Sequence, residues 1–193
     1  MIFSPVQIGR LEISNRIAVA PMCQYSAVDG VMTDWHTQHL MQLGYSAAGL
    51  IMVEATAVER VGRITHNCVG IYNDLCESSI KKTLEQARSV APTNTSFGIQ
   101  LAHAGRKAST QRPWEGRKSL TSEEDPWITK GASPVPFDIG WHVPQLLSEK
   151  DIKKLKDKFV EASIRSVKIG FDLIEIYGMH GYLLHQFLSQ ISN

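Results

Sequence analysis

Long apolar runs are missing from this chain. No stretch approaches the roughly 20 residues that a membrane-spanning helix requires, so no membrane partnership is expected. The N-terminus, Met1-Ile-Phe-Ser-Pro5, has neither the basic patch nor the apolar run of a secretory leader. Cysteine is scarce, and the three present, Cys23, Cys68 and Cys76, form no C-x-x-C pair. That pattern argues against a disulfide scaffold or a thiolate zinc site and points to a reducing, cytoplasmic setting. Net charge is also nearly absent, +1 over 193 residues, so nucleic acid is not an expected partner. Neither G-x-G-x-x-G nor G-x-x-x-x-G-K-S/T occurs, which weakens a nucleotide-binding open sheet. No glycosidase-type carboxylate pair and no Ser-His-Asp set is legible. His36 and His39 stand three apart but lack an evident third ligand, so no metal site is expected.

What is present is an ordinary globular composition, 43% hydrophobic and 20% charged, over a length that suits one domain. Val6, Ile8, Leu11 and Ile13 alternate around Gly9-Arg10 and predict a small hairpin. Short apolar runs over residues 16–22, 50–54, 96–102 and 171–176 predict four buried strands. Helical spacing predicts three helices between them: over residues 33–48, from an Asp74 cap with Glu77 in a capping box, and from Ser148 with Asp151. Strands alternating with helices imply parallel pairing and right-handed crossovers, without separating an open doubly wound sheet from a barrel. Residues 103–147 hold five of the eight prolines and three of the four tryptophans. An irregular segment of that length is expected to be functional.

Parallel strands bring their carboxyl ends together. Those ends offer Pro21-Met-Cys-Gln-Tyr25, Glu54-Ala-Thr56, Gln100-Leu-Ala-His-Ala-Gly-Arg106, and finally Tyr177, His180 and Tyr182. The rim thus combines a thiol, phenols, an imidazole and an amide with small residues. Ala20 and Ala55 would let a flat ring lie against backbone, and Gln100 could bond a heterocycle edge. In an α/β barrel this is the end where chemistry takes place.

Six blocks in one order, Ser4-Pro-Val-Gln-Ile-Gly9, Asn15-Arg-Ile-Ala-Val-Ala-Pro-Met22, Asp34-Trp-His36, Glu54-Ala-Thr56, Gly98-Ile-Gln-Leu-Ala-His-Ala-Gly-Arg-Lys107 and His180-Gly-Tyr-Leu-Leu-His185, resemble the Old Yellow Enzyme family of flavin ene-reductases. Cys23 and the Gln100–Lys107 run are most similar to its NADPH dehydrogenase and xenobiotic reductase branch. The resemblance implies an α/β fold, the TIM (β/α)8 barrel. The chain would supply roughly the first four β/α units plus the N-terminal hairpin, with residues 1–193 forming the N-terminal half of a single FMN-binding domain.

By the same resemblance, Ala20, Pro21, Met22 and Cys23 line FMN, Ala55 packs at its ring, and Gln100 bonds its pyrimidine edge. NADPH or NADH is the implied hydride donor, and an enone-type small molecule the implied substrate, reduced at its activated C=C bond. Tyr182 would give the proton, and His180 would hydrogen-bond the substrate carbonyl. Tyr25 and Tyr177 would touch the substrate. Tyr177 departs from the family, whose usual residue there is histidine or asparagine.

A complete barrel runs to about 250 residues, and phosphate sites commonly follow its seventh and eighth strands. The chain alone is therefore expected to bind FMN poorly, and its expected protein partner is a second copy or the C-terminal half. The alternative expectation is a catalytically incompetent truncated fragment of such an enzyme. The N-terminal part of a larger dienoyl-CoA reductase is a third reading, which the Cys23 and His103–Lys107 details disfavour.

Overall fold

The computed structural model describes residues 1–193. In chain order the first elements are β1 (Val6–Ile8), β2 (Leu11–Ile13), β3 (Ala18–Val19), α1 (Asp34–Tyr45), β4 (Leu50–Ala57), α2 (Asp74–Val90) and β5 (Ser96–Ala102). There follow β6 (Lys130–Gly131), β7 (Gln145–Leu146), α3 (Glu149–Ile169), β8 (Leu173–Ile176) and α4 (Leu183–Leu188). No helix is long and apolar enough to cross a membrane.

β1 and β2 form the expected antiparallel hairpin, with Val6 opposite Ile13. Its turn places a positive φ of +59° on Gly9, which has no Cβ to clash. The main sheet has four parallel strands in the order β3-β4-β5-β8. That order never reverses, as expected for an arc of a (β/α)8 barrel, and shows no switch point of a doubly wound sheet. Side chains alternate across it. Ile51, Val53, Phe97, Ile99 and Leu101 point to one face and pack with Leu40, Ile80, Leu84, Leu155 and Ala162 of the three long helices. On the other face Leu50 and Met52 pack against Ile13 of the hairpin, at the end where the strands begin.

The register of β4 against β5 slips between Val53 and Ala55. This bulge accommodates Glu54 and realigns the remainder of the strand. Ala55 falls beside Gln100, and Gln100 beside Glu175 on β8.

Several local expectations need correction. Asp74 is not the cap of α2; Asn73 is, its Oδ1 accepting from the Cys76 N–H at 2.8 Å. Asp74 instead pairs with Arg165 at 2.7 Å, tying α2 to α3. α1 stops at Tyr45 rather than at residue 48, because Ala47 turns to φ +59°. β3 keeps only two ladder residues of the predicted run, and α4 has no counterpart among the expected elements. The Ser148–Asp151 capping box stands as expected, and α3 ends on Gly170 at φ +102°.

The segment from 103 to 147 contains three single 3-10 turns and the short β6–β7 pair. It is fastened to the barrel arc at Glu59, which bonds His103 Nε2 at 2.8 Å and Lys130 Nζ at 2.7 Å. Burial alone would raise the Glu59 pKa, but the hydrogen bonds and charges of His103 and Lys130 bring it down to about 2. Trp127 adds a bond from its indole N–H to the Val61 carbonyl at 2.9 Å.

Candidate active site

The carboxyl ends of β3, β4, β5 and β8 bring the predicted site residues to one rim. Ala20 to Cys23 follow β3 directly; Ala20 and Met22 are exposed, Pro21 and Cys23 half-buried. Glu54, buried beneath them, accepts the Gln24 backbone N–H at 3.2 Å and so fixes the path of this segment. His36 Nδ1 accepts the Thr33 N–H at 3.1 Å, which leaves its proton on Nε2. That nitrogen lies 3.5 Å from Glu54 Oε1, an electrostatic contact longer than a good hydrogen bond. His36 is therefore a packed support for Glu54.

Ala55, Gln100 and Glu175 lie side by side across three strands. The Gln100 amide nitrogen donates to Glu175 Oε1 at 2.6 Å. This bond fixes which way the amide points and leaves its Oε1 as the acceptor open to a ligand. Small residues continue the floor: Ala55, Ala57, Ala102 and Ala104 border one cleft with Tyr182. A flat surface with one amide acceptor suits a planar conjugated ring that carries an N–H.

Above this floor sit the groups able to handle protons. The Cys23 thiol is pushed well up by burial and by the nearby Cys68 and Glu54, so it stays protonated at neutral pH. Tyr182 is pushed up more strongly than an ordinary phenol, first by burial and then by Cys23, Tyr25 and Tyr177. Tyr25 and Tyr182 line one cavity, and Tyr177 packs on Tyr182. Tyr25 sits at φ +50° with its ring edge-on to Trp114, centroids 5.8 Å apart. Burial pushes its hydroxyl up as well.

The turn after β8 carries the rest. The Tyr177 hydroxyl meets His180 Nδ1 at 2.5 Å. Tyr177 and Tyr182 pack with centroids 5.1 Å apart. His180 sits at φ +57°, and Lys107 Nζ donates to its carbonyl at 3.0 Å. Lys107 also lies 4.6 Å from the Phe137 ring and 5.2 Å from the Tyr182 ring. A cavity of about 390 Å³ opens beside these groups, lined by Tyr25, Lys107, Gln111, Arg117, Trp141 and Tyr182.

Sequence reasoning missed Glu54 and Glu175 as supports. Glu175 had one signal, its inward place two residues before Tyr177 in an alternating strand. The tryptophans divide: Trp114 and Trp141 belong to the cavity side, and Trp127 anchors the loop.

The chain has relatives among known proteins. Residues 1–193 match the model of the NADH:flavin oxidoreductase / NADH oxidase family. An NADH:flavin oxidoreductase of Gibberella zeae is 42% identical over 196 residues, covering 100% of this chain and 47% of that protein. An NADPH dehydrogenase of Bacillus subtilis is 36% identical over 194 residues, covering 100% of this chain and 52% of that protein. Among solved structures, the old yellow enzyme of Trypanosoma cruzi superposes with a TM-score of 0.82 at 26% identity, over 100% of this chain and 54% of that one. The chain thus spans about half the length of the curated relatives it matches.

Proposed function

Because the chain belongs to the NADH:flavin oxidoreductase / NADH oxidase family, we propose that it forms the first-to-fourth-strand side of one FMN-binding barrel domain in a cytoplasmic NAD(P)H oxidoreductase. The substrate class is the activated C=C bond of α,β-unsaturated carbonyl compounds. FMN, when bound, supplies the relay of a hydride from the nicotinamide to the alkene β-carbon. The observation that carries this reading is Tyr182 packed against the Tyr177–His180 pair and lining one cleft with Ala55, which lies in register with Gln100 and Glu175.

Each residue has a separate role. Gln100 presents its open Oε1 to an N–H on the ring edge, while Ala20, Pro21, Met22, Cys23 and Ala55 give the ring an apolar shelf. His180 donates from Nε2 to the substrate carbonyl oxygen and stabilises the enolate-like charge that develops there. Tyr182 then gives its phenolic proton to the α-carbon, and solvent restores it. Tyr25 bounds the substrate side, and the Cys23 thiol adjusts the ring's surroundings without ionising.

The test is direct. The purified protein is titrated with FMN and assayed for NADPH and NADH oxidation with 2-cyclohexenone. Enone-dependent oxidation supports the proposal; oxidation that ignores the enone in a flavin-loaded protein refutes the substrate class.

A second reading, a fragment without activity of its own, has its own observation. β8 pairs on one side only. An apolar groove of about 260 Å³, lined by Leu155 and Phe159 of α3 and Leu184 and Phe187 of α4, lies open between those helices. A C-terminal half or a second copy is the partner such an edge suits. A colourless, aggregating protein that no added FMN activates supports that reading over the first.

A further inference from the structure

We propose that Tyr177 acts as a positioning residue: its hydroxyl donates to Nδ1 of His180 and keeps the imidazole proton on Nε2, so that the ring presents one fixed donor to the substrate. This deepens the proposed function and rests on it for the identity of the acceptor, the carbonyl oxygen. A phenol has one proton to give. With that proton committed across 2.5 Å to Nδ1, Tyr177 cannot also donate to a substrate. Its part is played through the neighbouring ring rather than by direct contact.

The surroundings restrict the pair in the same sense. Burial, with Cys23 and Glu175 nearby, pushes the Tyr177 hydroxyl up, so oxygen keeps its proton at neutral pH and can donate. The His180 backbone is pinned on the other side: its φ of +57° is uncommon for a residue with a Cβ, and Lys107 Nζ holds its carbonyl at 3.0 Å. The two rings meet at 73° with centroids 5.7 Å apart, edge to face, a contact that accompanies the hydrogen bond. Gly178, between them in sequence, has open space around its Cβ position. The exposed imidazole has one side-chain hydrogen-bond partner, the Tyr177 hydroxyl, and that bond sets the ring's direction.

Two readouts test the inference. The first is the ¹⁵N chemical shifts of His180 in the labelled protein without substrate, at a pH where imidazoles are neutral. The expected result is a protonated Nε2 and an acceptor Nδ1, changing to a tautomer mixture in Tyr177→Phe. Unchanged shifts in that variant overturn the proposal. Should Y177F fail to fold, 3-fluorotyrosine at position 177 replaces it. This more acidic phenol of similar size should move the Nδ1 signal further from the free-acceptor position, and no movement is again the contrary result.

The second readout is a double-mutant cycle on enone reduction. Y177F alone should lower kcat roughly 3- to 10-fold with little change in KM, the loss of one neutral hydrogen bond. In a His180→Ala background the same change should have no further effect. Losses that multiply instead would show Tyr177 touching substrate independently, and would sink the proposal. A locked tautomer in a wild-type protein with no enone turnover would refute the proposed function alone.

Discussion

Glu59 offers the sharpest quantitative test of how the long segment is held over the site. Its carboxylate receives both His103, at the end of β5, and Lys130, on β6. Glu59→Gln keeps the size and removes the charge. The group falls from an ordinary 4.5 to about 2 in the folded chain. At about 1.36 kcal/mol per pKa unit that depression corresponds to roughly 3 kcal/mol of stability. The side chain is 19% exposed and the share owed to the His103 charge exists only when that ring is protonated, so this figure is an upper bound.

The sign comes from the direction of the shift. A depressed carboxyl contributes fully above its unfolded value and loses the contribution as pH falls through its folded value. E59Q should therefore be less stable than the parent by at most about 3 kcal/mol at pH 7, and by less at pH 3. Urea unfolding of both proteins at the two pH values measures the difference. A gap of the same size at pH 7 and pH 3 would refute the electrostatic reasoning and reduce Glu59 to a packing residue.

Two further outcomes are expected at the site. Tyr182→Phe should lower enone reduction by about 10²- to 10⁴-fold, the usual contribution of a positioned general acid, while leaving FMN binding within twofold or so. In the parent, the rate of the proton-transfer step should show no alkaline loss through the ordinary phenol value of 10.0, because burial holds the Tyr182 proton beyond it. Glu175→Leu should weaken FMN binding by roughly 3- to 10-fold, since the Gln100 amide then loses the acceptor that orients it. Glu175→Gln, which keeps an acceptor, should recover most of that affinity; equal losses in both variants would contradict the orienting role.

The elements easiest to read in the sequence are those whose pattern has one physical cause. Ile99 and Leu101 alternate with Gly98 and Gln100 because one face of β5 meets helices and the other faces the barrel interior. Ser148 and Asp151 mark the start of α3 because two orphan N–H groups need acceptors. The α2 cap lies one residue from its expected place: Asn73 and Asp74 are both good caps, and the structure uses Asn73 while Asp74 pairs with Arg165.

The site is legible in part. Cys23, Gln100, His180 and Tyr182 are identified through resemblance; Glu54 is seen at the end of its strand but given no role, and Glu175 escapes notice because an isolated carboxylate in a sequence reads as a solvent-facing group. The β4 bulge that seats Glu54 leaves no signature in the apolar run Leu50–Val53. Nor does any local rule put a non-glycine at φ +57°, so the His180 turn and its bond to Tyr177 emerge only in three dimensions.

One experiment reaches the central claim without requiring tight binding or turnover. FMN is titrated into the uniformly ¹⁵N-labelled chain while the backbone amide signals are followed. The account predicts that the signals that move cluster at residues 20–23, at Ala55 and Gln100, and in the turn 177–182. Shifts concentrated on the opposite end of the strands, around Ile13 and Leu50, or no shifts at saturating flavin, would contradict it.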